Sequence, residues 1–292
     1  MSRFRLIISG LAVAALLVGC SSNTTTGAAP ASSVAVGKPL TLAQAEVLAS
    51  VLTKNFDAGG AVFTVAVPFS PETTYGLSGF IDYTKGVGQA VLRITSNSGK
   101  DTADSSLFWT KQEVLEELPG LPEAVAALGR PGVRYVSRAL TTSSPQDIVL
   151  GLLLGSASTQ RENPGLIQQG TTDGGSAFLR TDALRGVAVD VFRFGKKTTY
   201  WVGHDDGYLM RLEANLAIAP GTTVIDFLEH KTVTVAGPKV SEVVLATDIP
   251  EVMKAITGNT IAPATTPATT PATTPATTPA STPASTPVTT KP

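Results

Sequence analysis

The chain has 292 residues, a formal net charge of −1 at pH 7, 42% hydrophobic residues and only 15% charged residues. That balance indicates much buried or ligand-facing apolar surface and excludes a disordered class of protein. Nothing in it is basic enough to follow a phosphate backbone, so we expect no nucleic acid as partner. One cysteine and two histidines cannot supply an ordinary Cys/His zinc site. We therefore expect neither a metal nor a cofactor.

The N-terminal segment has the pattern of an export signal that ends in a lipid-attachment site. A positively charged start precedes an apolar run over residues 6–18, which is too short to span a bilayer. Gly19 and Cys20 follow, as in a bacterial lipobox, where the thiol is acylated, with palmitate among the acyl chains, after removal of residues 1–19. The mature protein is then expected on the extracytoplasmic face of the cell membrane, anchored by its lipid. An ordinary signal peptide with an accidental cysteine is the alternative.

Two low-complexity segments are expected to flank one large domain. Residues 20–38 are rich in Ser, Thr, Ala and Gly and predict a flexible tether. Residues 261–292 carry a proline at every fourth position and predict an extended, solvated tail, since proline disrupts helices and ladders. That tail is either a passive spacer or an O-glycosylated segment. Residues 39–260 remain, enough for one β-rich domain.

The domain is predicted to begin with an amphipathic helix followed by a meander of strands. Thr41 and Gln44 give a capping-box pattern, and apolar side chains recur at helical spacing until Gly59. Short alternating runs then indicate antiparallel strands, with an irregular or briefly helical segment over residues 119–131. The expected strands of this part are residues 61–68, 75–84, 89–95, 107–109 and 133–140.

A second helix is predicted after Ser144 and Pro145, which are a favoured N-cap and first helical residue. Residues 148–154 are apolar on every side except for one glycine. Such a helix is either covered by protein on both faces or presents one face to an apolar ligand. Both interpretations stay open at this point.

The last third has the clearest strand pattern. Residues 204–207 end in the dipeptide Asp-Gly, which is typical of a hairpin turn. Strands are expected at residues 188–194, 199–202, 208–218, 222–235 and 240–246, and a short helix at 250–257. In all, about ten or eleven strands and two or three helices predict an α+β fold, in which a strongly curved antiparallel sheet, an incomplete β-barrel, wraps over a few helices.

The sequence contains no recognised catalytic motif. His204 and His230 are the only candidates for the base of a Ser-His-Asp hydrolase, and both are expected at exposed positions between strands. There is no G-x-S-x-G elbow, no serine followed three residues later by lysine, and no phosphate-binding glycine loop. We therefore expect a protein that is not an enzyme, and a hydrolase is only a third hypothesis.

Several of these features together resemble a known family. They are the lipobox around Cys20, the amphipathic first helix, the meander over residues 61–95, the apolar helix after Ser144, and the hairpin over residues 199–213. In this order they resemble the LppX/LprG-type lipoproteins of actinobacteria and, more distantly, the LolA/LolB lipoprotein carriers. The resemblance covers roughly residues 40–246. It implies an incomplete barrel with an apolar cavity that holds acyl chains.

The leading hypothesis is a membrane-anchored lipoprotein that binds or carries a lipid or glycolipid through the cell envelope, without covalent chemistry. A membrane transporter or another envelope protein is a possible partner. The alternative is a non-enzymatic interaction or sensory lipoprotein that binds another protein or a cell-wall polymer. The insert over residues 113–130 and the tail depart from the shorter family pattern. The cavity candidates are Phe63, Val65, Leu77, Ile81, Leu92, Ile94, Ile148, Leu152, Met210 and Leu212.

Overall fold

The computed structural model describes residues 37–96, 104–170, 175–217 and 219–257. The predicted signal segment 1–19, the acylation site Cys20 and the tail 261–292 lie outside these residues. So does the tether predicted for residues 20–38, apart from its last two residues. In the described ranges no helix is both long and apolar enough to cross a membrane.

Thirteen strands form one sheet in the described part of the chain, together with five α-helices. The strands are β1 (Lys38–Pro39), β2 (Gly60–Ser70), β3 (Thr73–Asp82), β4 (Val87–Ser96), β5 (Ser105–Trp109), β6 (Glu113–Glu116), β7 (Tyr135–Ala139), β8 (Ser176–Leu184), β9 (Val187–Phe194), β10 (Thr198–Gly203), β11 (Leu209–Asn215), β12 (Thr222–His230) and β13 (Val243–Leu245). The helices are α1 (Leu42–Asp57), α2 (Leu121–Ala127), α3 (Pro145–Gly155), α4 (Pro164–Gln169) and α5 (Pro250–Thr257). In space the strand order is β1-β8-β9-β10-β11-β12-β2-β3-β4-β5-β6-β7-β13.

The predicted α+β fold, with a curved, open sheet around helices, is confirmed. The predicted number of ten or eleven strands was too low, because β1, β6 and β8 were not recognised; β1 has only two residues and lies at the end of the predicted tether. β6 has only four residues, and a register shift between Phe178 and Arg180 interrupts the alternation of β8. The sheet is also not purely antiparallel. β13 runs parallel to β7, because the chain crosses the sheet after β12 and arrives beside β7 in the same direction.

The segment that crosses the sheet lies between β12 and β13 and is extended. From its alternating pattern, the sequence prediction had assigned parts of it to the two neighbouring strands. The strand predicted over residues 222–235 ends at His230, and the one predicted over 240–246 contains only β13 between two short 3-10 turns. Within the segment, Val235 packs with Phe108 and Tyr135 on the outer face of the sheet. The alternation of apolar and polar side chains in residues 231–235 therefore arises because the segment packs on the face of the sheet, and not because it is one of the paired strands.

Helix α1 begins and ends as the sequence predicts. The Thr41 side chain accepts a hydrogen bond from the Gln44 amide at 3.2 Å, and the Gln44 side chain accepts one from the Thr41 amide at 3.0 Å. This capping box satisfies two amides that the helix itself leaves free. Gly59 follows the helix with a φ of 83°, a conformation that glycine adopts without strain.

The main core lies between the inner face of the sheet and helices α1, α3 and α4. Phe63 and Trp109 meet edge to face at its centre, with ring centroids 6.1 Å apart. The indole Nε1 of Trp109 also donates to the carbonyl of Leu150 in α3 at 3.2 Å. Trp109 thus fixes the position of α3 over the sheet. A smaller cluster at the β7 and β13 end is covered by α2 and α5.

A glycine opposite Trp109 makes this arrangement possible. Gly88 in β4 pairs directly with Trp109 in β5, and a Cβ atom added at Gly88 would overlap the six-membered ring of the indole. Any other residue at position 88 therefore displaces the ring that contacts Phe63 and Leu150.

We predict that Gly88→Ala lowers the free energy of unfolding by about 1–3 kcal/mol, the usual cost of overpacking a core. Urea denaturation of the full chain measures the loss. Gly76→Ala is the matched control, because a Cβ there meets its nearest atom, the Arg93 carbonyl oxygen, at an ordinary 3.7 Å. Equal stabilities of the two variants would contradict the role given to Gly88.

Candidate functional site

A largely apolar cavity of about 300 Å³ lies between helix α3 and strands β10 and β11. Helix α3 forms one wall, the inner face of the sheet forms the other, and the segment before α3 contributes the remaining atoms. The lining residues are Leu140, Thr141, Thr142, Asp147, Ile148, Gly151, Leu152, Gly155, Ser156, Tyr200 and Leu212. Its size and composition are those of a small-molecule site.

The two faces of α3 have different surroundings. One stripe of the helix is fully buried in the main core and consists of Val149, Leu150, Leu153 and Leu154. The other stripe, at helical spacing, lines the cavity and consists of Ile148, Gly151, Leu152 and Gly155. One face of the apolar helix is therefore covered by protein, and the other faces a cavity.

Two glycines leave the cavity-facing side of α3 without side chains at positions 151 and 155. A Cβ atom added at Gly151 or Gly155 would meet no atom within 4 Å. Glycine inside a helix costs about 0.5–1 kcal/mol relative to alanine. Alanine would fit at Gly151 without a clash, so packing does not require the glycine there, and the absence of its side chain enlarges the cavity.

An ion pair between the buried Asp147 and the partly buried Arg138 holds the N-terminal end of α3 on the sheet. The Asp147 carboxylate accepts two hydrogen bonds from Arg138 of β7, both at 2.8 Å. It accepts two more from the amide and hydroxyl of Thr141, at 2.9 and 3.0 Å. These four contacts satisfy the carboxylate, which is almost completely buried.

Neutral hydrogen bonds hold the other end of the same helix. The Ser156 carbonyl accepts from the side-chain amide of Asn55 in α1 at 2.7 Å. The Ser156 hydroxyl donates to the carbonyl of Leu153 at 2.7 Å and lies 3.0 Å from the Tyr83 hydroxyl. The cavity wall is therefore tied to the protein at both ends, and only its middle faces open space.

The charges around the cavity compensate one another. Burial disfavours the charged form of Arg138 and by itself lowers its pKa. The hydrogen bonds and charge of Asp147, together with the charge of Glu116, outweigh burial, so the pKa of Arg138 is raised. Burial raises the pKa of the Glu116 carboxyl, against the attraction of Arg138 and with the repulsion of Asp147. Burial and then the negative charge of Glu162 raise the pKa of Tyr200, which is neutral at physiological pH. The charged side chain that lines the cavity among the described residues, Asp147, is therefore paired.

The predicted cavity residues fall into three groups. Ile148, Leu152 and Leu212 line the cavity. The structure places the other predicted side chains of β2, β3 and β4 in or against the main core, and these are Phe63, Val65, Leu77, Ile81, Leu92 and Ile94. Met210 packs on the outer face of the sheet with Leu184, Val189 and Val191.

Met210 leaves the inner face because of a β-bulge. Trp201 pairs with Arg211, but the next residue, Val202, pairs with Leu209, so Met210 is the extra residue. The strict alternation predicted for residues 208–218 is interrupted there. The sequence analysis also missed Tyr200, Gly151 and Gly155 as lining residues, although two glycines four residues apart in an apolar helix are a usable signal.

Two smaller pockets lie elsewhere. One of about 160 Å³ lies beneath Val235 on the outer face, between Lys85, Phe108 and Leu115. The other, of about 200 Å³, lies between Tyr83, Lys111 and Ser158 and is more polar. The α3 cavity is the largest of the three.

Neither histidine lines the α3 cavity. His204 is exposed, and its Nδ1 lies 2.9 Å from the carboxylate of Asp190, which raises the pKa of the imidazole. His230 is half-buried, not exposed as predicted; its Nε2 lies 3.0 Å from the Leu209 carbonyl oxygen, and its ring stacks on Tyr208. No group of three acidic, histidine or cysteine side chains that could hold a metal occurs in the described ranges.

Comparison with known proteins gave structural similarities only. No family model matches the sequence, and no curated protein matches it. LprF from Mycobacterium bovis is 14% identical, with a TM-score of 0.39 over 70% of this chain and 99% of that one. An uncharacterized conserved protein from Thermus thermophilus is 11% identical, with a TM-score of 0.36 over 68% of this chain and 97% of that one. A DUF1329 family protein from Desulfovibrio piger is 9% identical, with a TM-score of 0.31 over 68% and 95% of the two chains.

We predict that Asp147→Asn lowers the free energy of unfolding by about 2–4 kcal/mol, because the partly buried Arg138 loses the carboxylate that binds it with two hydrogen bonds and keeps only the more distant Glu116, 3.9 Å away. Chemical denaturation of the full chain at pH 7 measures this loss. The control is Asp104→Asn, which removes the exposed partner of Arg93 and is expected to cost less than about 1 kcal/mol. Similar losses in the two variants would show that the Arg138 pair does not hold α3.

We predict that protonation of His230 destabilises the fold in acid. Burial lowers the pKa of His230, against the Leu209 carbonyl and the Asp206 charge, so the unfolded chain binds the proton more tightly. The stability that neutral His230 contributes is therefore present above about pH 6.5 and is lost as the pH falls below it. Denaturation between pH 5 and 8 should show a smaller acid loss in His230→Gln than in the unsubstituted protein.

His204→Gln is the control for this pH series. Asp190 raises the pKa of His204, so its contribution has the opposite sign and is lost as the pH rises. That variant should lose at least as much stability in acid as the unsubstituted protein. An identical acid loss in all three proteins would contradict the assignment to His230.

Proposed function

We propose that this chain is a lipid-binding protein of the cell envelope that encloses a hydrocarbon chain in the cavity beside α3. One observation carries the proposal: the wall of the cavity is an apolar helix stripe with two glycines, whose ends are tied down and whose middle faces open space. Each methylene moved from water into such a cavity contributes about 0.8 kcal/mol. Binding of this kind needs desolvation alone and no reactive group.

The location and wider role come from the sequence. The lipobox pattern at Cys20 supports an acyl anchor in the cytoplasmic membrane, with the domain on its extracytoplasmic side. A binding domain beside a membrane on a tether can take up a lipid or glycolipid and pass it to a transporter or another envelope protein.

We predict that Gly151→Phe blocks lipid binding while the protein stays folded. The ring grows from a Cβ in open space and fills the cavity, so we expect at least a tenfold weaker affinity for a monoacylglycerol. Gly151→Ala is the matched control. It leaves most of the cavity free and, through its helix propensity, raises the free energy of unfolding by up to about 1 kcal/mol.

The measurement is native mass spectrometry of the full chain bearing Cys20→Ser, so that no anchor chain competes with the added lipid. The protein is first delipidated and then titrated with the monoacylglycerol. Affinity that falls from glycine through alanine to phenylalanine at position 151 supports the cavity as the site. No uptake by the unsubstituted domain would refute lipid binding and favour a module that binds another envelope protein or a cell-wall polymer.

A further inference from the structure

We propose that the Tyr200 hydroxyl recognises the headgroup, and that the cavity takes a single-chain amphiphile whose headgroup is uncharged and forms hydrogen bonds. This inference rests on the proposed lipid-binding function and makes it specific. It follows from three observations: the free hydrogen-bonding groups of the lining, its charges, and the dimensions of the cavity.

Tyr200 is held on the inner face of the sheet by its neighbours. It pairs with Phe192 on one side and Leu212 on the other, and both of these side chains belong to the main core. Its ring stacks on Phe194, with centroids 5.4 Å apart and planes at 12°. The ring is therefore fixed by packing, and its hydroxyl needs no hydrogen bond to stay in place.

The Tyr200 hydroxyl is one of only two side-chain groups of the lining that are free to bind a ligand. Tyr200 is half-buried, and among the described residues its hydroxyl has no hydrogen-bond partner. The Asp147 carboxylate already accepts four hydrogen bonds, and the hydroxyls of Thr141 and Ser156 are bonded within the protein. Thr142, at the exposed edge, supplies the other free hydroxyl.

The charges of the lining disfavour an anionic headgroup inside the cavity. Within the described ranges no lysine, arginine or histidine is part of the lining, and the one carboxylate there, Asp147, is neutralised by Arg138. Glu162 adds a negative charge near Tyr200, and a buried anion without a partner is costly. An alcohol, ester, amide or sugar hydroxyl can instead exchange a hydrogen bond with Tyr200 at no cost in charge.

The dimensions favour one chain. The lining extends along α3 from Asp147 to Ser156, which corresponds to about 13 Å of helix. The volume of about 300 Å³ is at the lower end of the range for small-molecule sites. A long, narrow space of this size fits one hydrocarbon chain and not two side by side.

The test compares two amphiphiles with the same acyl chain, a monoacylglycerol and the free fatty acid, at pH 8, where the fatty acid is ionised. Both are titrated into the delipidated full chain bearing Cys20→Ser. We expect the monoacylglycerol to bind at least tenfold more tightly. Tyr200→Phe, which removes only the hydroxyl, should weaken monoacylglycerol binding about fivefold and leave fatty-acid binding unchanged.

Tyr208→Phe is the matched control, because Tyr208 stacks on His230 and does not line the cavity. It should change neither affinity. Equal affinities for the two amphiphiles, or no effect of Tyr200→Phe, would overturn the role of Tyr200 even where Gly151→Phe abolishes binding and the proposed function stands. If neither amphiphile binds the unsubstituted protein, both the proposed function and this inference are overturned.

Discussion

The contact between Arg138 and Asp147 is the constraint on which the cavity depends. Helix α3 is apolar nearly all round, so the hydrophobic effect alone would press both of its faces against the sheet and close the space. Two polar attachments prevent this, the ion pair at its N-terminal end and Ser156 at its C-terminal end. Trp109 adds a third attachment on the core side through Leu150. Helix α3 is therefore held at a fixed distance from β10 and β11, and the space along its cavity-lining stripe stays open.

Glycine serves two opposite purposes in this arrangement. Gly88 is required because the space beside it is full, since the Trp109 ring lies where its side chain would be. Gly151 and Gly155 stand where space is empty, and any small side chain would fit. A sequence alone does not distinguish these cases, because both read as a glycine that weakens a regular element. Only the packing around each position separates a structural requirement from an open binding surface.

Local patterns predicted the elements, and tertiary contacts decided the site. The capping box at Thr41 and Gln44 set the start of α1, because its hydrogen bonds are formed within one turn. The apolar pattern of α3 predicted a helix that is either covered on both faces or open to a ligand on one, but it could not indicate which stripe packs against protein. A bulge moved Met210 to the outer face, and a bulge depends on pairing with another strand. Tyr200 was missed because its position opposite α3 depends on tertiary contacts that the sequence pattern does not show.

An acyl chain in a membrane is already out of water, so an apolar cavity gains little free energy by taking it from a bilayer. The methylenes contribute nearly equally on both sides of such a transfer, and this makes loading and release reversible. Selection among lipids must then come from groups that distinguish the cavity from the bilayer. Among the described lining residues those groups are few: a neutralised carboxylate, the free hydroxyl of Thr142 at the exposed edge, and a fixed tyrosine ring with its free hydroxyl. In the proposed carrier, selection among lipids would therefore come from the polar contact at Tyr200, while the apolar wall would set only whether a chain fits.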